Sequence, residues 1–166
     1  MPTMRSLPET SHQHHEIIEP HVDRLVELAE LLDEVPATGL AQALEEECHF
    51  ITSQLMPHIE AIESTLYGRL EEVMDKRHSM APMRSEHEQL RSLMRSLCGY
   101  RESVAGSAVG EADRIGLRRV LYRLYAMLKV HLAEEELYLR VLDRSLSAEE
   151  KDALAQGIDH AAAEPL

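Results

Sequence analysis

His131 stands four residues before Glu135, and both fall on a row of leucines: Leu117, Leu121, Leu124, Leu128, His131, Glu135, Tyr138, Leu142. The steps alternate between 4 and 3 residues, the pattern of a helix facing a bundle core. A buried imidazole needs partners for both ring nitrogens. A buried carboxylate is costly unless it is paired or holds a cation. Three other segments repeat the anomaly. His58 sits between Leu55 and Ile62, and His87 between Met83 and Leu90. In the first segment His21 falls on the apolar stripe and His15 lies near the same face. Taken singly, such a histidine bonds a backbone carbonyl or water, and His131 with Glu135 makes a simple hydrogen bond. Four segments that each turn an imidazole inward point instead to a shared partner. Imidazole with carboxylate suits iron, zinc or manganese better than thiolate-preferring metals. The candidate ligands are His58, His87, His131 and Glu135, with His15 or His21 from the first segment.

Four amphipathic segments must carry these residues. The first spans about 9–34, with Ile18, Val22, Leu25, Leu28 and Leu32 in register. Pro20 lies inside it and either kinks the helix or starts its regular part. The turn "VPATG" ends it. The second spans about 40–75, with Leu44, Cys48, Ile51, Leu55, His58, Ile62, Leu66 and Leu70 aligned and Pro57 as a bend. "KRHSMAP" leads to the third, about 82–102, and "ESVAGSAVGEAD" to the fourth, about 114–144. Ser147 three residues before Glu150 forms a capping box, so a short helix is expected through Gln156. The pattern predicts an all-α fold: an antiparallel, up-down-up-down four-helix bundle with a short C-terminal helix. Residues 1–166 read as one domain, with a core over about 9–144 and an extension over 147–160.

The formal charge is −13, which disfavours phosphate backbones and anionic membranes as partners. No apolar run approaches the ~20 residues of a membrane span. "MPTMRSLPETSHQHHE" lacks the apolar core of a signal peptide, so the expected location is the cytoplasm. Cys48 and Cys98 read as two reduced thiols without an activating partner. No nucleophile elbow, P-loop or dinucleotide fingerprint is present. His12, His14, His49, His78 and His160 read as peripheral, and the runs Glu45–Glu47 and Glu149–Glu150 as solvated faces.

"PHIEAIESTLY" (Pro57–Tyr67), "MAPMRSEHEQL" (Met80–Leu90) and "HLAEEELYL" (His131–Leu139) resemble the hemerythrin-like, or HHE cation-binding, family. The resemblance runs from "HHEIIEPHVDRL" to Leu142. It implies a four-helix bundle holding a non-haem di-iron centre bridged by carboxylates. His15 or His21 matches the first-helix ligand, His58 the second, His87 the third, and His131 with Glu135 the fourth. The family expects a Glu four residues after His58, where this chain has Ile62. Glu63, the candidate substitute ligand, is rotated from that position by ~100° on a helix. The resemblance also suggests extra histidines where Gln54 and Tyr125 stand. With one bridging carboxylate missing, repulsion between two cations is less well offset, so the implied site holds one or two ions. The family includes oxygen carriers, oxygen or iron sensors, and members that decompose peroxide or handle nitric oxide. A small diatomic molecule or peroxide is the implied ligand. The second reading is a non-catalytic interaction or regulatory module with a decayed metal site.

Overall fold

A computed structural model describes residues 7–75, 79–106 and 109–163. All regular structure there is helical: α1 (Leu7–Leu31), α2 (Ala37–Phe50), α3 (Met56–Val73), α4 (Ala81–Gly106), α5 (Glu111–Ser145) and α6 (Ala148–Ala163). Parts of the two connections, at 76–78 (with His78) and 107–108, lie outside the described residues. Among the described residues, no helix is long and apolar enough to cross a membrane.

α1 runs through Pro20, which occupies an exposed helical position. The second segment is not one uniform helix. A π-helical turn, Ile51–Leu55, joins α2 to α3. Pro57 supplies the reason, since its ring crowds the carbonyl four residues earlier and it has no N–H to donate. Widening the turn moves the bonding to five residues, as in Met56 N–H to the Ile51 carbonyl. The Thr52 hydroxyl donates to the Cys48 carbonyl at 3.0 Å and the Ser53 hydroxyl to that of His49 at 2.8 Å.

α1 packs on α5, α2 on α4, and α4 also on α5. α6 lies along α3 and extends past Gln156 to Ala163. Its first turn carries the expected capping box, with the Ser147 amide donating to the Glu150 carboxylate at 2.9 Å. Arg69–Glu150 and His14–Asp159, both at 2.8 Å, tie α6 to α3 and α1.

Two hydrophobic clusters fill the interior. One contains Ile18, Leu55, Ile59, Leu90, Leu128 and Leu132. The other contains Leu7, Ile62, Leu66, Met83, Leu139 and, from α6, Leu154 and Ile158. The break between the clusters falls at His15 on α1 and His87 on α4, just past His58 and Ile59 on α3, and at Glu135 on α5, one turn beyond His131. The core is therefore split by a polar layer. The outward face of α5 also carries exposed Ile115, Tyr122, Val130 and Leu137.

Candidate metal centre

His15, His58, His87, His131 and Glu135 are all at least 97% buried, and they meet in that layer. The Nε2 atom of His15 lies 3.2 Å from Glu135 Oε1, and that of His58 lies 3.1 Å from Oε2. These three residues offer ligand atoms within 4.8 Å of one another. Beside them, His87 Nε2 stands 2.9 Å from His131 Nε2. Glu135 Oε2 is 4.0 Å from His131 Nε2, so one carboxylate borders both groups.

All four imidazoles point Nε2 inward. The outward nitrogens face carboxylates in three cases. His87 Nδ1–H donates to Glu63 at 2.7 Å. His131 Nδ1 lies 3.5 Å from Glu86 and His15 Nδ1 3.8 Å from Glu136. The Nδ1 atoms of His58 and His131 are buried without a hydrogen bond. A carboxylate behind an imidazole fixes its tautomer and orientation, the usual arrangement around metal-binding histidines.

The spacing tests whether a cation fits. Two nitrogen donors each ~2.1 Å from an ion, at right angles, stand ~3.0 Å apart. The three shortest contacts among the four imidazoles and Glu135 run from 2.9 to 3.2 Å. Ordinary hydrogen bonding serves the layer poorly, because His87 Nε2 is approached both by His131 Nε2 and by the Tyr67 hydroxyl at 3.0 Å. With Nδ1–H committed to Glu63, His87 Nε2 has one lone pair, which can accept from Tyr67 or from His131 but not from both. The donor set and its geometry fit a transition-metal ion.

Charge follows the same division. Burial opposes ionisation of Glu135, but the charge of His58 and the hydrogen bonds from His15 and His58 hold its carboxyl well below the usual range. Burial lowers His15, yet its bond to and attraction by Glu135 leave its pKa raised. Burial and the neighbouring His131 push His87 down to about 4. Glu63 is held low despite burial, by Arg91 at 2.8 Å and by His87.

A pH dependence follows for the chain freed of metal. An unfolded His87 takes its proton near 6.5 and the folded one near 4, so its contribution to stability is complete above 6.5 and falls as pH drops toward 4. At ~1.4 kcal/mol per pH unit the loss approaches ~3 kcal/mol. Glu135 acts in the same direction in acid, its contribution being lost as pH falls through its depressed pKa. His15 opposes them, contributing fully below 6.5 and fading as pH rises through its raised value. Imidazole NMR titration in chelator should find His87 neutral until about pH 4. Titration of His87 near 6.5 would contradict the burial argument.

The two histidines on α1 have different surroundings. His15 enters the layer, whereas His21 stacks on Phe50 with ring centroids 3.8 Å apart and bonds Glu47 at 3.2 Å. Glu47 departs from the solvated-face expectation. It is 1% exposed, because α2 turns it toward α1, where His21 and Arg24 meet it. Burial raises its pKa despite those partners. Glu63 reaches the back of the His87 ring rather than the centre of the layer. Gln54 is exposed in the π turn, and Tyr125 packs at the edge of the hydrophobic core. The tyrosine that joins the layer is Tyr67, 1% exposed, which the stripe reading passed over. Of the peripheral histidines, His12, His49 and His160 are exposed, while His14 is half-buried against Asp159.

Together these features define a class: an all-helical protein whose core is divided by an imidazole–carboxylate layer suited to a cation. The Hemerythrin HHE cation binding domain matches residues 7–142, and the chain belongs to that family. Comparison with curated proteins and with solved structures gave no match. The match ends inside α5, so α6 lies beyond it.

Proposed function

We propose that the chain is a hemerythrin-like protein that holds non-haem iron in its core and acts in handling or sensing oxygen, peroxide, nitric oxide or iron. The observation that carries this reading is the convergence of four imidazole Nε2 atoms and Glu135 between two hydrophobic clusters. Two half-sites are distinguishable. His15, His58 and Glu135 would hold one ion. His87, His131 and Tyr67, with Glu135 at the boundary, would hold a second. Bound iron would supply a redox-active centre with positions open to a small molecule such as dioxygen or peroxide. The chain's own residues orient the imidazoles, through Glu63 above all, and exclude water with the leucine clusters on either side.

Paired contacts support an antiparallel order of the long helices. On α1 and α5, Leu32 meets Arg114, Ala29 meets Arg118 and His15 meets Glu135, one number falling as the other rises. We read the chain as one domain acting in the cytoplasm without a nucleic acid or membrane partner, in keeping with the −13 charge.

Ile62 favours the second reading, a helical interaction module with a decayed site, because it places an apolar side chain in the adjoining core where the family has a carboxylate. Chelator separates the two readings. Loss of a bound ion lowers the melting temperature by several degrees, whereas a decayed module melts unchanged.

The direct test is elemental analysis with an absorption spectrum of protein produced in iron-supplemented medium. Iron near one or two ions per chain is expected; a chain without transition metal would overturn the proposal. Tyr67 sharpens it. Burial pushes its hydroxyl pKa up, so it is neutral in the metal-free chain. A bound cation inverts that preference by favouring the anionic ligand. Ferric protein should then show a visible phenolate-to-iron band that Tyr67→Phe removes, with the His15–His58–Glu135 ion retained. A band unchanged in Tyr67→Phe would remove Tyr67 from the donor set.

A further inference from the structure

Cys48 and Cys98 lie far apart in sequence but face each other across the seam between α2 and α4. Cys48 is buried, Cys98 is partly exposed, and the two thiols are near enough for each to shift the other's ionisation. One helical turn away on both helices, Arg101 meets Glu45 at 3.3 Å, which fixes the register at this height. We propose that Cys48 and Cys98 are a dithiol site oxidised by peroxide to a disulfide that joins α2 to α4.

Each requirement of such a site has a residue behind it. The attacking sulfur must be reachable and able to ionise. Cys98 meets both conditions: it is partly exposed, and the neighbouring Cys48 thiol together with the positive charge of Arg101 outweighs its burial, so its pKa is lowered. The resolving sulfur must be adjacent and keep its proton until needed. The neighbouring Cys98 sulfur, together with burial, raises Cys48. The Cys98 thiolate attacks a peroxide oxygen, the O–O bond breaks, and hydroxide leaves with a sulfenic acid formed on Cys98. The Cys48 sulfur then attacks the sulfenic sulfur, forming the S–S bond and releasing the oxygen as water with the Cys48 proton. In sum two thiols and one hydrogen peroxide give one disulfide and two waters. The register set by Glu45 and Arg101 places the two cysteines opposite each other, where closing the ~2.05 Å bond requires the sulfurs to approach across the α2–α4 seam.

The site is independent of the metal layer, which uses neither cysteine, so its test can be read with or without bound iron. The full chain, as purified and after chelation, is titrated with hydrogen peroxide, quenched with an alkylating agent and analysed by intact mass and peptide mapping. The expected result is loss of both alkylatable thiols, a mass lower by about 2 Da before labelling, and a Cys48–Cys98 cross-linked peptide. Cys48→Ser should stop at a sulfenic acid on Cys98 that dimedone traps, while Cys98→Ser should leave Cys48 alkylatable at the same dose. Two thiols that both stay alkylatable, a link only between chains, or a Cys98→Ser variant oxidised as fast as the parent would each overturn the proposal. Identical helical circular dichroism of the two variants guards against misfolding as the cause of any loss.

Discussion

Protein carrying Glu135→Gln retains little metal, its affinity falling at least ~100-fold, while its helix content stays that of the parent. Changes behind a metal ligand already cost 10–100-fold in affinity, and Glu135 stands in the layer itself. It contacts His15 and His58 with separate oxygens and borders His131. Glutamine keeps the shape and one carbonyl acceptor but removes the one carboxylate that, among the described residues, is buried in that layer. Glu135→Ala adds a second effect that does not depend on metal. It leaves two buried imidazoles facing a void, and removing one partner of a buried charged set costs ~3–5 kcal/mol. Metal per chain by elemental analysis, together with urea unfolding in chelator, separates the two effects. A Glu135→Gln protein that keeps its full metal complement would show that the layer does not hold the ion.

Ile62→Glu should respond to iron in the opposite sense. Ile62 is 1% exposed, one helical turn beyond His58, at the edge of the second hydrophobic cluster. In chelator the substitution buries a carboxylate among Leu66, Leu139 and Leu142 and should destabilise the fold by ~3–5 kcal/mol. Added iron reverses the penalty, because the new side chain lies on the face that carries His58 and supplies a second anionic bridge. The expected result is a melting temperature far below the parent's in chelator and a much larger rise on adding ferrous iron, with more iron bound per chain. Equal destabilisation with and without iron would mean that this face does not turn toward the ligand layer.

The sequence made the layer visible because a histidine breaks the leucine spacing on each long helix, and a polar residue in an apolar row is conspicuous. His58, His87, His131 and Glu135 were legible for that reason. The choice between His15 and His21 was not, since both lie near one face of α1. It turns on what α2 brings opposite His21, namely Glu47 and Phe50, and pairings between helices leave no trace in the periodicity of one of them. Tyr67 was hidden differently. It is nine residues after His58, about half a turn round the helix, so a single-stripe reading assigns it to the outside. α3 has no such simple outside, because α6 packs along it and Tyr67 faces α4 instead. Glu47 was misread as part of a charge run, although it stands three residues after Leu44 on the buried side. The π turn had Pro57 as its signal, but a proline announces a disturbance without saying whether the helix bends or widens.

That widened turn bears on how the chain tolerates changes in length. A π turn holds one residue more than an α turn, and the surplus is absorbed within Ile51–Leu55 without passing down α3. The helix therefore contains a place where the reading frame of its faces can slip by one residue. Deleting Ser53 together with Pro57→Ala should close the turn into ordinary α-helix and leave His58 against Glu135. The same single deletion inside α5, between Leu121 and His131, has no slack to draw on and would swing His131 and Glu135 out of the layer by ~100°.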